Sequence, residues 1–588
     1  MSCLIDVIIP GPWWNALTYG SERELPAGTR VRVPVGRGMR VGFVLGLAKE
    51  KPAISLRHIA EVLDEKRIID PDLWDLALWM GCTFLCGAGQ ALQLICPAEF
   101  LRGEPTAASS LDGGRISSFT EEDFFEPWDE ERTARYREML ESPGRILLLF
   151  PEAGMAKAFF SSLPNRLQAG ALLWPSTGGK KLWRAWQMVR SGGVRAVLAP
   201  PGGVFAPLRP DCIIVEEEAS AAYIFQRPPR VPARSLAGRR AMMLGAKLIL
   251  AGRIPSSRTF LRTAPKCKTL PDRNALVFAD IRRSVRGEEQ GVEGALPLTI
   301  SLLERTRDML AAGRHALWIL DRRGEAAEVF CLDCGRSIRC SRCGALMRSE
   351  ERGRSLRCVR CSARGALPSR CPDCGGEFWS GRRPGLESLF LMAGRLIRGY
   401  PVRLCDGKTP RGGGPSLLLG TRGALSLCDA LDIGLTAWLD LDAELRKPDH
   451  GVRFHVFSMI WESYWRGRRH GAEERVVLIQ GRRFGLRWRD VLAGGWGRFW
   501  RDELKLRDEL DLPPFGLMAQ IDLPKSEDRD VFIRMLEDAG LFVMDPGDRD
   551  LPLWAGVRNV EPLFRALEPR FHIGRSRQNF PVVTIWSE

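Results

Sequence analysis

Four Cys-x-x-Cys pairs crowd into one short stretch of this chain: Cys331/Cys334, Cys340/Cys343, Cys358/Cys361 and Cys371/Cys374. Each pair offers two thiolates from one tight turn. Tetrahedral zinc takes four ligands, so eight cysteines make two complete sites. No histidine lies within the stretch, and both sites are expected to be all-thiolate. Closed sites of that kind leave no position for a substrate, which argues for structural metal. Five residues separate Cys334 from Cys340, a cramped connection for two knuckles facing one ion. Fourteen lie between Cys343 and Cys358 and read as a hairpin through residues 348–353. The spacing predicts a nested arrangement, with Cys340, Cys343, Cys358 and Cys361 around one ion and Cys331, Cys334, Cys371 and Cys374 around the other. Disulfides and an iron–sulfur cluster are the competing readings. The first residues carry no export signal, and regular knuckle spacing in an intracellular chain favours metal over disulfides. An iron–sulfur cluster stays open on spacing alone. Residues 331–376 also hold ten arginines against four acids. Two tetrathiolate centres bring about two negative charges each, so much of that excess is local compensation and weak evidence for nucleic-acid contact.

The remainder of the 588 residues has room for several domains. A net charge of +15 favours polyanionic partners, nucleic acid being the commonest. Apolar runs fall short of the ~18 residues a membrane span requires, and the cytoplasm is the expectation. Residues 1–98 alternate β-rich runs (6–9, 29–33, 41–45) with turns and look like a small barrel or sandwich, followed by a helical pattern from Pro71 to Met80. Residues 102–131, rich in Gly, Ser, Glu and Asp, read as a linker. From Arg145, short apolar runs at 146–150, 171–173, 194–199, 212–215 and 247–251 alternate with helical stretches, as in a parallel α/β sheet. A second set at 316–320, 416–419, 437–440 and 476–479 is interrupted by the cysteines. Trp488 to Leu510 is helical and aromatic-rich. Trp496, Phe499 and Trp500 follow Arg482, Arg483, Arg487 and Arg489 and suit either core packing, the favoured reading, or base stacking.

Several segments carry a specific likeness: residues 28–37 with Arg40 to Val44, Ala60 to Asp64, Phe84 to Cys86 with Leu92 to Pro97, Leu320 to Gly324, the eight cysteines, Gly381 to Glu387, Leu419-Gly420-Thr421 and Leu512 to Phe515. In this order they resemble the bacterial replication-restart PriA family, also called primosomal protein N′, over most of the chain. The resemblance implies a multidomain α/β protein. Residues 1–98 would be a β-rich 3′-DNA-end-binding domain and 99–135 a linker standing where a winged helix is expected. Residues 136–270 would be a first RecA-like lobe and 271–330 with 377–482 a second, the latter interrupted by a two-zinc insertion at 331–376; residues 483–588 would be a small C-terminal domain. It further implies a 3′-end pocket at Leu17, Thr18, Gly36 and Arg57. Thr18 replaces an aspartate of some members, and Arg57 replaces a lysine while keeping its charge.

The family's members are ATP-dependent helicases, and this chain departs from them where ATP chemistry sits. The phosphate-loop segment reads Pro151-Glu152-Ala153-Gly154-Met155-Ala156-Lys157-Ala158. Pro151 has no N–H to offer, Ala156 adds a Cβ, Ala158 lacks a hydroxyl for Mg2+, and Glu152 brings negative charge. Gly154 and Lys157 are the remnants of a cofactor site. The Asp-Glu-Glu-His element appears as Glu216-Glu217-Glu218-Ala219, where the longer Glu216 side chain would need a different geometry to reach metal. The Ser-Ala-Thr coupling element is Gly252-Arg253-Ile254, and the arginine-finger motif is reduced to Trp465-Arg466-Gly467-Arg468-Arg469. Four damaged elements argue against turnover of ATP and Mg2+, so no catalytic residue is assigned beyond the remnants Lys157, Glu216 and Glu217. The expectation is a cytoplasmic, nucleoid-associated protein holding two Zn2+. It would bind stalled forks, 3′ ends and single-stranded DNA, and meet primosome, helicase-loading and single-stranded-DNA-binding proteins. The rivals are a divergent ATP-dependent 3′–5′ helicase and a zinc-containing protein-interaction module.

Overall fold

The computed structural model describes the chain apart from residues 1–2, 50–55, 107–117, 281–283, 287–291, 294, 322–325, 332, 335, 351–354, 360, 378, 406–412, 446–449, 482–485, 547–550 and 573–579. The segment Arg322-Arg323-Gly324, the hairpin tip within 348–353, and Arg482 and Arg483 thus lie wholly or partly outside the described residues. The chain divides into two compact units, one of residues 1–125, 131–265 and 504–588, the other of 126–130 and 266–503. Among the described residues no helix is long and apolar enough to cross a membrane.

The first unit opens with a five-stranded antiparallel sheet in the order Leu17–Ser21, Cys3–Ile8, Gly38–Leu47, Arg30–Val35, Glu61–Val62. Alternation in Val31, Val33, Val7 and Ile5 points one face inward, and these side chains are buried. Arg30 is also buried: it makes a bidentate pair with Asp64 at 2.8 and 2.9 Å and donates to the carbonyls of Phe100 and Glu104. A buried guanidinium is tolerable because its donors are met. Helices Pro71–Thr83 and Gly87–Ile95 follow.

A six-stranded parallel sheet comes next, in the order Thr120–Phe125, Lys247–Gly252, Cys212–Val215, Ile146–Leu149, Ala196–Ala199, Ala171–Leu173. Its central strands are buried on both faces, which is why they read as unbroken apolar runs. The linker expectation for 102–131 is corrected here. Thr-Glu-Glu-Asp-Phe-Phe at 120–125 is an edge strand parallel to Lys247–Gly252, and Asp129–Glu141 is a helix. Charge pairing rather than apolar patterning holds the strand: Glu122 meets Lys247 at 2.6 Å and Arg135, and Glu121 meets Arg262. The helix buries Arg132, Tyr136 and Leu140, one turn apart each, and two of those three are polar enough to hide the periodicity. The unit closes with a four-stranded antiparallel sheet, Phe542–Met544, Leu553–Val557, Leu517–Asp522, Val582–Trp586. Trp14 of the N-terminal sheet domain stacks on Phe571 of this region, with centroids 4.2 Å apart.

The second unit holds a six-stranded parallel sheet ordered Leu276–Asp280, Val476–Gly481, Ile433–Trp438, His315–Ile319, Leu417–Gly420, Val402–Cys405. Between His315–Ile319 and Leu417–Gly420 the chain leaves to form most of a separate, mainly antiparallel sheet carrying the cysteines, to which the earlier strand Val292–Glu293 adds in parallel beside Trp379–Pro384. The aromatic stretch forms two helices, Leu486–Ala493 and Gly495–Glu509. They break at Gly495, whose φ of +72° and whose absent Cβ, which would sit 2.6 Å from Leu270, both require glycine. Trp496, Phe499 and Trp500 are buried; Phe499 stacks on Phe457 at 4.5 Å and Trp500 on Phe454 at 4.6 Å. They are core. Phe499→Leu is expected to lower stability by about 1–2 kcal/mol and leave DNA affinity unchanged, checked by denaturant melts beside a binding titration.

Candidate functional site

Three places in the fold carry chemistry. The first is the open end of the N-terminal sheet. Arg57 donates from Nη1 to the Gly36 carbonyl at 2.9 Å, and its own carbonyl accepts from Gly20 N–H at 2.9 Å, so this exposed cation is held beside the turn at Gly36. Gly36 has φ +60°, and a Cβ there would meet nothing within 4 Å, so the turn is an open cradle. Tyr19 ties the strand Leu17–Ser21 to the carbonyl of Pro34 at 3.0 Å; burial raises its phenol pKa, opposed by the Arg57 charge. Leu17 is half-buried opposite Val7. Thr18 is paired across the sheet with Asp6 and donates to Asp6 Oδ1 at 2.7 Å. A carboxylate therefore stands beside the threonine, supplied by the neighbouring strand. Sequence reading missed Asp6, because only the antiparallel register brings residues 6 and 18 together.

The second place is the cysteine sheet. Its thiols gather as Cys331, Cys334, Cys371 and Cys374, and as Cys340, Cys343, Cys358 and Cys361, with the ligand atoms of each group within 4.8 Å of one another. Pairwise Sγ separations are 3.6 Å (Cys331–Cys374), 3.8 Å (Cys334–Cys371), 3.7 Å (Cys340–Cys361) and 3.3 Å (Cys343–Cys358). Four sulfurs about 2.3 Å from one tetrahedral zinc lie about 3.8 Å apart, whereas a disulfide needs about 2.05 Å. The donor set fits a four-coordinate thiophilic metal in both groups. Backbone N–H groups of Arg342, Cys361 and Gly376 point at Cys340, Cys358 and Cys374 at 3.4 Å, favouring thiolates. The N–H groups of Asp373 and Cys374 draw Cys371 down to about 7. Against the N–H groups of Ala345 and Gly376, the crowding of neighbouring thiols pushes Cys343 and Cys374 up to about 12, a repulsion that a shared cation would relieve. The inner group rests on a small core of Val329, Met347 and Leu356, and the strands Met347–Glu350 and Ser355–Cys358 form the hairpin between its two knuckles. Local acids take up part of the arginine excess: Arg336 meets Asp373 at 2.6 Å, Arg370 meets Glu377 at 2.8 Å, and Arg348 meets Glu350 at 3.0 Å.

The third is the pair of parallel sheets where nucleotide chemistry is expected. After the strand Ile146–Leu149 the helix Ala153–Ser161 begins almost at once, so the connection is too short to wrap phosphates. Lys157 lies a full turn inside that helix, exposed, rather than at its N-terminus. Gly154 is exposed on the same helix, and Ala156 turns its methyl into the core. Glu216 is 3 % exposed, and its oxygens are taken by Arg132 Nε at 3.0 Å and the Tyr136 hydroxyl at 2.5 Å. Glu217, at φ +51°, is held by Arg132 at 3.0 Å and by Arg253. Glu218 accepts from Ser256 N–H at 2.6 Å and faces Arg234; burial raises its pKa against those partners. Both Glu216 oxygens are thus taken by side chains of the helix Asp129–Glu141. In the second unit, Arg466 is bound by Asp429 at 2.8 and 2.9 Å and by Glu462 at 2.7 Å. Arg468 lies over Tyr464, Trp465 and Trp128 at 4.5, 5.5 and 5.6 Å, and Arg469 pairs loosely with Glu130.

Comparison with known proteins bears on the first place most directly. Residues 6–97 match the family model of the PriA 3′ DNA-binding domain. The replication restart protein PriA of Treponema pallidum is 24% identical, over 88% of this chain and 86% of that protein. PriA of Bacillus subtilis is 23% identical over 65% of this chain, and the probable PriA of Deinococcus radiodurans 26% over 67%. Over most of its length this chain is similar to PriA. The alignments take in 50% and 44% of the Bacillus and Deinococcus proteins, so the chain spans about half of those two. Among solved structures, RecG bound to a three-way DNA junction aligns at 9% identity over 66% of this chain and 44% of that one, with a TM-score of 0.33. Within the PriA match the cradle of Gly36 and Arg57 and the pair Thr18–Asp6 all fall inside residues 6–97. Glu216, Glu217, Glu218 and Arg466 are taken up in internal ion pairs and hydrogen bonds, whereas Gly154 and Lys157 are exposed.

Proposed function

We propose that this chain is a PriA-like protein of replication restart that binds stalled or branched forks through their 3′ ends and promotes primosome assembly and replicative-helicase loading without hydrolysing ATP. The observation that carries the reading is the match of residues 6–97 to a 3′-end-binding domain, with Arg57 posed at an open glycine turn. A fixed cation beside backbone that can approach closely suits a terminal phosphodiester, and the Asp6–Thr18 pair offers acceptors to a base edge. Zinc is the reading of the two cysteine groups that best suits their number and spacing. The ATP elements support a platform rather than a motor: the residues do not fit Mg2+ or a triphosphate, and no step is assigned through either. Primosome, helicase-loading and single-stranded-DNA-binding proteins, and a place on the cytoplasmic nucleoid, follow from this reading.

The test is fork binding and ATP turnover measured on one preparation. Forks with a free 3′-hydroxyl end are expected to bind more tightly than forks with that end blocked, and affinity should fall as salt rises. Arg57→Ala is expected to weaken binding about tenfold and reduce the salt slope by about one, while Lys157→Ala changes neither. DNA-stimulated phosphate release above the Lys157→Ala background would turn the reading toward the helicase. Absence of fork binding would leave the zinc-containing interaction module.

A further inference from the structure

The two carboxylates that stand where a metal ligand and a general base are expected already hold a cation, and it belongs to the chain. Arg132, on the helix Asp129–Glu141, places Nε 3.0 Å from Glu216 Oε1 and Nη2 3.0 Å from Glu217 Oε1, with its side chain 1% exposed. One turn on, Tyr136 donates to the other Glu216 oxygen; it is fully buried, and burial followed by the Glu216 charge holds its pKa well above the ordinary value, so it keeps its proton. Tyr223 fixes the backbone of the same residue, its one hydroxyl proton shared between the carbonyls of Glu216 at 2.7 Å and Leu149 at 3.0 Å. Arg253 closes the far side of Glu217. Gly252 makes that approach possible, since a Cβ there would sit 2.9 Å from Glu217 Cα.

Adjacent carboxylates, here the buried Glu216 and the half-buried Glu217, repel and are costly to desolvate, and a shared cation answers both problems. A divalent ion does so with oxygen ligands at about 2.1 Å and several waters. A guanidinium does so with a flat fork of donors and no water, which suits the largely buried C-terminal end of the central strand Cys212–Val215. We propose that Arg132 is a built-in substitute for the divalent cation: its guanidinium bridges Glu216 and Glu217, converts the pair into a structural ion-pair core, and excludes metal from the first parallel sheet. The strand-and-helix segment 120–141, whose part up to residue 135 sequence alone read as linker, is thereby the part that closes the site. This goes beyond the proposed function and would hold whether or not the chain binds forks.

The test uses the full chain with its cysteine sites metal-loaded, and Mn2+ as the probe, followed by electron paramagnetic resonance and by thermal unfolding. The native chain is expected to show no saturable Mn2+ binding and no Mn2+-dependent shift. Arg132→Ala should unfold at a temperature lower by about 5 °C or more. Millimolar Mn2+ or guanidinium should recover part of that loss, and NaCl at equal ionic strength should not. Should Arg132→Ala fail to accumulate, Arg132→Met alone and combined with Glu216→Gln makes the same measurement. The combined variant should then be more stable than Arg132→Met, because the orphaned charge is gone. Stoichiometric Mn2+ binding by the native chain, a native midpoint in Arg132→Ala, or strictly additive losses in the combined variant would each overturn the proposal.

Discussion

Replacing Cys358 by serine is expected to lower the metal content from two ions to one and to open the cysteine sheet to protease, while the two parallel sheets stay folded. The reasoning starts from geometry. Cys358 is buried, lies 3.3 Å from Cys343, and receives the Cys361 N–H at its sulfur, so it is both a ligand and part of the small core with Val329, Met347 and Leu356. That core is too small to hold six short strands by apolar burial. On the zinc reading, metal supplies most of the folding energy of this sheet, since apparent binding energies at structural zinc sites are on the order of 10 kcal/mol or more at neutral pH. The nesting adds a direction to the effect. The outer group must close across the whole excursion from Cys334 to Cys371, and an intact inner site shortens that excursion. Loss of the inner site should therefore weaken the outer one more than the reverse, so Cys358→Ser should need more zinc to retain its remaining ion than Cys374→Ser does. Elemental analysis of reductant-purified protein with limited proteolysis reads both. Two ions retained by Cys358→Ser, or iron with a visible chromophore, would sink the assignment.

The cysteines were readable because ligand spacing is a local property, and the structure brings together the same two groups of four that loop lengths point to. The parallel strands were readable for a related reason: segments such as Cys212–Val215 are buried on both faces and leave an unbroken apolar run. What stayed hidden depends on partners far away in sequence. The strand at 120–125 is acid-rich and looks like linker until Lys247, Arg135 and Arg262 supply its counter-charges. Asp6 acquires its role only across the sheet from Thr18. Glu216 reads from its neighbours only as a remnant acid, and its partners Arg132 and Tyr136 come from a helix some eighty residues earlier. Trp496 and Trp500 were ambiguous for the opposite reason: an apolar stripe reads alike whether it meets a base or Phe454.

The largest loss from a single uncharted side chain is expected at Arg240. Arg240→Ala should destabilise the first unit by about 3–5 kcal/mol, the range for breaking a buried ion pair from one side. Arg240 is fully buried on the helix Ala233–Leu244, with Nε 2.7 Å from Asp72 Oδ2 and the other nitrogens donating to the carbonyls of Val204 and Leu208 at 2.8 and 2.5 Å. Asp72 lies within the residues that match the 3′ DNA-binding domain, and its carboxylate is 4% exposed. Two residues before it, Asp70 takes Arg190 at 3.2 Å, a second buried pair joining the same domain to the parallel sheet. Truncating Arg240 strands the Asp72 charge and two carbonyls away from water, and added salt cannot screen the deficit because the site is closed to solvent. Asp72→Asn in the same chain should recover a substantial part of the loss, since it removes the orphaned charge though not the orphaned carbonyls. The functional consequence follows from what the pairs connect. A domain held to its platform by buried charges delivers a bound DNA end at a fixed place, so Arg240→Ala should leave short 3′-ended oligonucleotide binding near native and weaken fork binding. Denaturant melts of the single and double variants, with hydrogen exchange across Pro71–Thr83, decide it: unchanged exchange there in Arg240→Ala means the ion pair does not couple the two.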